Sequence, residues 1–387
     1  MTTIEKNVKN ATFTALSPIY YVSRLLGIAP YYMDKTKKFK TSSNSYNIWF
    51  IPLQGIIFVS TCYYLVVFIN FMKTVSVFAY LGMTVYSLTT IIQIIYIVIT
   101  NSVLKNKRVR LLNELERNRR NLEKIGIIVD FNDIKKYFLF YIIILNVFVF
   151  ADFSFILIWH YGDYKNLLLT IHVAIVNDIF YVIPTVEIIQ VSSCIRLYGE
   201  CINGINEYLK TFLRNNNYIN LKKTLNSYIE TYKNLINFND SISSLIVINF
   251  TTNFTLIVLE IYSSILPVMK HNLNPLIILQ IFIIFLSGLG VIFCLSAYEY
   301  CKIKLNATKS VVFNLMLNVN DVRMKEELNG FTLAMVHFKP ELSALLFNLD
   351  FRMITTLCGA INTYTLLLIQ SDYNVDVYSI YRNQSNS

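Results

Sequence analysis

PLIILQIFIIFLSGLGVIFCLSA, residues 275–297, decides the fold. It carries no charged side chain. At a helical rise of about 1.5 Å per residue it spans the roughly 30 Å of a bilayer's hydrocarbon core. A barrel strand would alternate apolar and polar residues, and 277–285 does not alternate. Six further stretches are long and apolar enough to cross as well: 48–71, 75–99, 137–159, 167–191, 244–268 and 353–370. The whole chain agrees. Of 387 residues, 55% are hydrophobic and 15% charged, with a mean hydropathy of +0.48, whereas soluble domains carry about 25% charge. That excludes an ordinary cytosolic enzyme, a disordered chain and a fibre. It leaves an all-α membrane protein of seven transmembrane helices.

The net charge of +10 is read loop by loop, because basic residues set topology. Thirty of the 34 lysines and arginines fall before the first stretch or between stretches 2 and 3, 4 and 5, and 6 and 7. Only Lys73, Lys165, Lys270 and Arg382 fall on the other side. The positive-inside rule therefore places the amino terminus in the cytoplasm and the carboxyl terminus outside. So distributed, the charge is a topology signal and implies no nucleic-acid partner. The outer loops are short and the inner ones long. Residues 1–46 show no signal peptide, so the first span is expected to serve as the insertion signal.

The layout then reads as follows. Residues 1–46 form a cytoplasmic segment, and 47–193 hold spans 1–4 with an inner loop at 100–136. Residues 194–243 form a cytoplasmic helical extension, and 244–299 hold spans 5 and 6. Residues 300–352 form a cytoplasmic anchor, 353–371 the last span and 372–387 an extracellular tail. In the extension, Ile195, Tyr198, Ile202, Ile205, Leu209 and Phe212 repeat at helical spacing, as do Leu221, Leu225, Tyr228, Tyr232 and Leu235. These stripes predict helices that continue beyond the membrane and pack as core or as a subunit interface. The small residues at 287–290 are expected to let helices approach closely. The six cysteines show no metal-ligand spacing and are expected to be reduced. Signatures of hydrolases, metalloproteases and phosphate-binding loops are absent. Neither an enzyme, a metal site nor a cofactor is expected.

Acidic residues within spans are costly, at about 2.5–3.5 kcal/mol each near the bilayer centre. Asp152, Asp178, Glu187 and Glu260 occupy such positions. They either line a ligand pocket open to the outside, with Trp159, His172, Tyr181 and Tyr262, or hydrogen-bond between helices. The last span differs from the rest. Gly359, Thr363, Leu366 or Leu367, and Gln370 share one helical face. Such a polar-tinged stripe is poorly suited to lipid. It can pack on the bundle or line a water path with an apolar constriction. Asp372 and Asp376 follow at the outer mouth, and Asn383 opens an N-glycosylation sequon.

Thr363-Tyr364, five mostly apolar residues and Gln370 resemble the Thr-Tyr…Gln-Phe signature of insect gustatory receptors, in the last span where that family has it. The approach 346–350, Gly359-Ala360 and the opening segment 18–30 are also similar. The resemblance implies a ligand-gated, non-selective cation channel in the plasma membrane. It would be a homotetramer, or a heterotetramer with related subunits, with four last helices around the pore. A small-molecule tastant would bind among the outer halves of spans 2–6, and cations would permeate. Ser371 stands where the family has Phe beside Gln370, so Leu366 or Leu367 is expected to share the gate. Thr365 stands where sugar-sensing members carry Glu, which points to bitter or plant secondary compounds. An insect odorant-type receptor channel is the alternative. A G-protein-coupled receptor would need the opposite orientation and an Asn-Pro-x-x-Tyr motif in span 7, whereas Asn274-Pro275 opens span 6. A transporter using the intramembrane acids is the remaining reading, and no internal repeat supports it.

Overall fold

The computed structural model describes residues 11–26, 28–29, 31–34, 38–42, 55, 59, 77–160, 167–212, 218–269, 276–337, 342–345 and 347–385. In chain order these form α1 (Ala11–Leu25), β1 (Tyr31–Met33), β2 (Phe39–Thr41), α2 (Val77–Val103), α3 (Lys105–Lys124), α4 (Asn132–His160), α5 (Leu167–Thr211), α6 (Tyr218–Met269), α7 (Leu276–Asn318), α8 (Val322–Val336), β3 (Ser343–Ala344), β4 (Phe347–Asn348) and α9 (Arg352–Ser385). Among the described residues, four helices are long and apolar enough to cross a membrane. The pair α2–α3, whose axis turns 67° at its break, makes a fifth candidate. The stretch 48–71 lies outside the described residues apart from residues 55 and 59.

Three of the helices outrun their apolar segments. α5, α6 and α7 continue without a break into polar sequence, where their extensions pack together. The two stripes read from the sequence are buried within this chain at every position, from Ile195 to Phe212 and from Leu221 to Leu235. They are core, and each fully buried Leu or Phe contributes about 1.5–3 kcal/mol relative to exposure. α5 and α7 form the most extensive helix pair. Cys194, Tyr198, Cys201 and Ile205 face Cys294, Tyr298, Cys301 and Leu305, two sets with the same four-three-four spacing, all buried. The tight approach occurs at Gly199, where a Cβ would stand 3.0 Å from the Tyr300 ring and 3.4 Å from the Cys301 Cα.

That corrects the expectation for residues 287–290. Nothing lies within 4 Å of a Cβ built on Gly288, and Gly290 meets only Ile188 at 3.9 Å. Small residues there do not mark the close helix crossing, because the pair converges further along, in the extensions. Among the described residues five cysteines are free, four of them buried.

The short elements seal the basic end. Gly126, with φ +88°, ends α3: Ile127 N–H bonds the Leu122 carbonyl and Gly126 N–H the Glu123 carbonyl, a pairing that needs a residue free to adopt positive φ. The β1–β2 hairpin is held by Asn113, whose side-chain amide bonds both the N–H and the carbonyl of Phe39 at 2.9 Å. α1 is fastened to α3 through Glu116, which accepts from the Thr12 hydroxyl at 2.8 Å and from Arg119 and Arg120. Burial alone would raise the Glu116 carboxyl, but the bonds from Arg119, Arg120 and Thr12 hold it below the usual range. Finally, α9 runs as helix to Ser385, past the end of the 353–371 span read from the sequence.

Candidate functional site

The last helix begins on a built platform. The β3–β4 hairpin turns at Leu345, whose φ is 40°, and three contacts tie it to the bundle. Tyr298, fully buried on α7, donates to Asn239 on α6 at 3.0 Å, and the Asn239 amide donates to the Ser343 carbonyl at 2.9 Å. Phe347 packs against Phe250 of α6 with ring centroids 6.1 Å apart. Asp350 caps α9, accepting from Arg352 N–H at 3.1 Å, and its other oxygen accepts from Lys302 of α7 at 3.1 Å. Asp350 thus satisfies an orphan donor at the helix start while pairing with a cation on a neighbouring helix.

Beyond this platform α9 touches little. It packs on α6 along Ile354, Leu357, Ile361, Thr365 and Leu368, spaced three and four apart, with Thr365 buried and the others half-buried. Tyr364 is 54% exposed and meets Phe254 edge to face at 5.8 Å. Gly359, Thr363, Leu366, Leu367 and Gln370, on the opposite side of the helix by spacing, are exposed, with Ser371 half-buried beside them. The face read from spacing is therefore the outward face. Thr363 donates back to the Gly359 carbonyl at 2.9 Å, and Ser371 to the Leu367 carbonyl at 2.8 Å. These hydroxyls need no acceptor from another helix and keep their lone pairs for water or ions. The side chains of Asp372 and Asn383, also on α9, lie outside the described residues.

Of the candidate pocket residues, Glu260 and Tyr262 are described, and both are buried on α6. Next to them Ser264 Oγ lies 2.6 Å from the Glu260 carbonyl and 2.9 Å from Gln280 Oε1, and Gln280 Nε2 donates to Ser263 Oγ at 2.9 Å. This polar clasp joins α6 to α7 near their short connection. Asp152 and Trp159 stand on α4, and His172, Asp178 and Tyr181 on α5, with side chains outside the described residues. The clasp was not singled out in the sequence, although Gln280 is the one polar side chain within the run 275–286.

Glu187 has a different partner. It is 1% exposed and accepts from Arg108 at 2.8 Å. Arg108 also donates to Asn101, on the other side of the α2–α3 bend. One helical turn along α5, Gln190 donates to the Tyr31 hydroxyl, while Tyr20 donates to the Tyr31 carbonyl at 3.2 Å. The intramembrane acid deepest in the sequence-read pocket thus belongs to a buried network joining α1, β1, α2, α3 and α5. Nothing in the sequence distinguishes Arg108 from the other nine cations of its loop, so the pairing was not legible.

The sequence profile described as 7tm Chemosensory receptor matches residues 16–375 of this chain. Among curated proteins no sequence match is found. The fold is similar to that of the insect olfactory receptor OR5 from Machilis hrabei, with a TM-score of 0.71 at 11% identity, covering 92% of this chain and 97% of that one. The same receptor in complex with eugenol gives a TM-score of 0.68 at 11% identity with the same coverage. With the profile spanning nearly its whole length, the chain belongs to the 7tm chemosensory receptor family.

Proposed function

We propose that the chain is a gustatory-type receptor of the plasma membrane that works as a ligand-gated, non-selective cation channel. In this reading the amino terminus is cytoplasmic and the carboxyl terminus outside, and four copies, or copies mixed with related subunits, surround a pore. The observation that carries the reading is the two-sidedness of α9. One face is packed on α6, and the other, with Thr363 and Gln370, is exposed in the single chain. Four such helices around an axis would line a path with Thr363, Gln370 and Ser371, constrict it with Leu366 and Leu367, and place Asp372 at the mouth to attract cations.

The tastant would enter from the short-loop side, where Glu260 and Tyr262 lie beside the Ser263–Ser264–Gln280 clasp, together with Asp152, Trp159, His172, Asp178 and Tyr181. Opening follows from the ligand's differential affinity for the open arrangement. The β3–β4 platform is the direct mechanical link, since Asn239 and Lys302 on the ligand-carrying helices both hold it. The absence of an acid at Thr365 favours bitter or plant secondary compounds over sugars.

Expression in oocytes, with related subunits supplied, should give cation currents evoked by alkaloids or plant glycosides. Surface expression without current to any tastant panel would reject the reading. The second reading is an odorant-type channel of the same fold, and currents evoked only by volatiles would establish it.

A further inference from the structure

At the level where three helices leave their apolar stretches, one cation sits in an unusual setting. Arg196 of α5 lies between two tyrosine rings. Its guanidinium carbon is 4.5 Å from the centroid of Tyr137 on α4 and 4.8 Å from that of Tyr300 on α7. Tyr137 is fixed from behind by stacking on Phe293 at 5.1 Å. Tyr300 is seated against α5 because Gly199 leaves room for its ring. Among the described residues no carboxylate pairs with Arg196, its Nε is sealed without an acceptor, and the nearby Glu200 acts on the Tyr300 hydroxyl instead. A guanidinium that lies over aromatic rings keeps in-plane N–H donors for a planar acceptor pair, which is the geometry of bidentate phosphate recognition.

The surroundings match that acceptor. Lys304 Nζ lies 5.2 Å from the centroid of the Tyr300 ring, and Lys135 is exposed at the start of α4. Towards the apolar stretches, Phe140 and Ile143 of α4 and Ile292 of α7 are exposed, at the depth where acyl chains would run. Tyrosines with basic residues at the ends of apolar helices mark the headgroup region of a bilayer.

We infer that Arg196, Tyr137, Tyr300 and Lys304 form a binding site for one anionic phospholipid of the leaflet at the basic end. The headgroup phosphate takes the Arg196 edge, Lys304 and Lys135 add attraction, and the acyl chains lie along Phe140, Ile143 and Ile292. An anionic lipid fits better than a zwitterionic one, because each cation at the surface favours an anionic headgroup. A bound lipid here would clamp α4, α5 and α7 together. The site rests on these helices crossing a bilayer and not on the channel reading, so the two can fail separately.

Native mass spectrometry of the full-length protein in detergent, titrated with phosphatidylserine or phosphatidylcholine, tests it. The intact protein should retain phosphatidylserine preferentially. Arg196→Gln should weaken that retention about fivefold or more, and Lys304→Gln less, since one cation near a charged surface is worth about a factor of five. Lys304→Gln changes a half-buried position, and it reads the site even where the Arg196 variant fails to fold. Equal retention of both lipids by the intact protein, or unchanged phosphatidylserine binding in both variants, would overturn the assignment. So would Arg196-dependent stabilisation by inorganic phosphate alone with no lipid preference, which would leave only a free-anion site.

Discussion

α6 and α9 are neighbours that meet opposite demands. Within Tyr218–Ile265 of α6 the apolar 18-residue window has a mean hydropathy of 1.8 and is 61% buried inside the chain, whereas the 18-residue window within Arg352–Ser371 of α9 has a mean hydropathy of 1.3 and is only 6% buried. The less apolar helix is the more exposed one. Between helices in lipid there is little hydrophobic drive, so packing follows shape and hydrogen bonding. α6 has both, through Asn239, the Ser263–Ser264–Gln280 clasp and the buried stripe of its extension. α9 has a single packed edge, and its polar stripe would face hydrocarbon in a lone subunit. Among the described residues the bundle packs largely on itself, while α9 keeps an exposed face, which the proposed assembly would cover.

Breaking the complete half should cost most. Arg108→Ala strands the buried Glu187 charge and should lower stability by about 3–5 kcal/mol, whereas Arg108→Met combined with Glu187→Leu should recover most of it. Thermal unfolding of the purified protein measures both. An Arg108→Ala variant as stable as the parent would end the view of the bundle as internally complete. Asn239→Ala should cost about 1–3 kcal/mol by orphaning the Tyr298 hydroxyl and the Ser343 carbonyl. It should also speed hydrogen exchange across residues 343–350 while leaving the α5–α7 core protected.

Acid acts on the same half more gently. The bonds from Arg119, Arg120 and Thr12 hold the Glu116 carboxyl below its usual range despite burial. Its contribution is complete above the unfolded value, about 4.3, and is lost as pH falls through the lower folded value. The melting midpoint should therefore be insensitive to Glu116 from pH 7 to about 5 and fall below about 4. Glu116→Gln should start lower and show a shallower acid limb. The smallest effect on stability belongs to α9: Thr363→Ala should change unfolding by less than about 0.5 kcal/mol, because its hydroxyl bonds only its own helix. It should nonetheless alter conductance. A large loss of subunit stability there would erase the contrast between the two helices.

Much of this was legible in the sequence. Helical periodicity alone located the stripes from Ile195 to Phe212 and from Leu221 to Leu235, because a 3.6-residue period and burial are the same fact seen twice. It also grouped Gly359, Thr363 and Gln370 on one face of α9, but did not say whether that face packs on the bundle or looks away from it. The pairings were not legible. Arg108 with Glu187, Tyr298 with Asn239, and Arg196 between two tyrosines join residues 79, 59 and 59 to 104 positions apart, and a single sequence carries no signal for such distances. The small residues at 287–290 misled for a related reason. A glycine shows that a helix can be approached, but not which neighbour comes, and the approach is made at Gly199 instead.

The central claim is that the outward stripe of α9 meets water in the assembled protein. Cysteine accessibility on the channel in a membrane tests it directly, with the exposed Cys358 first changed to serine. Thr363→Cys and Gln370→Cys should react with a charged, membrane-impermeant thiol reagent and change the current, whereas Ile361→Cys and Leu368→Cys, on the α6 side, should not. Reaction at residues 363 and 370 only with a lipid-soluble reagent, and none with the charged one, would place that face in the bilayer and contradict the account.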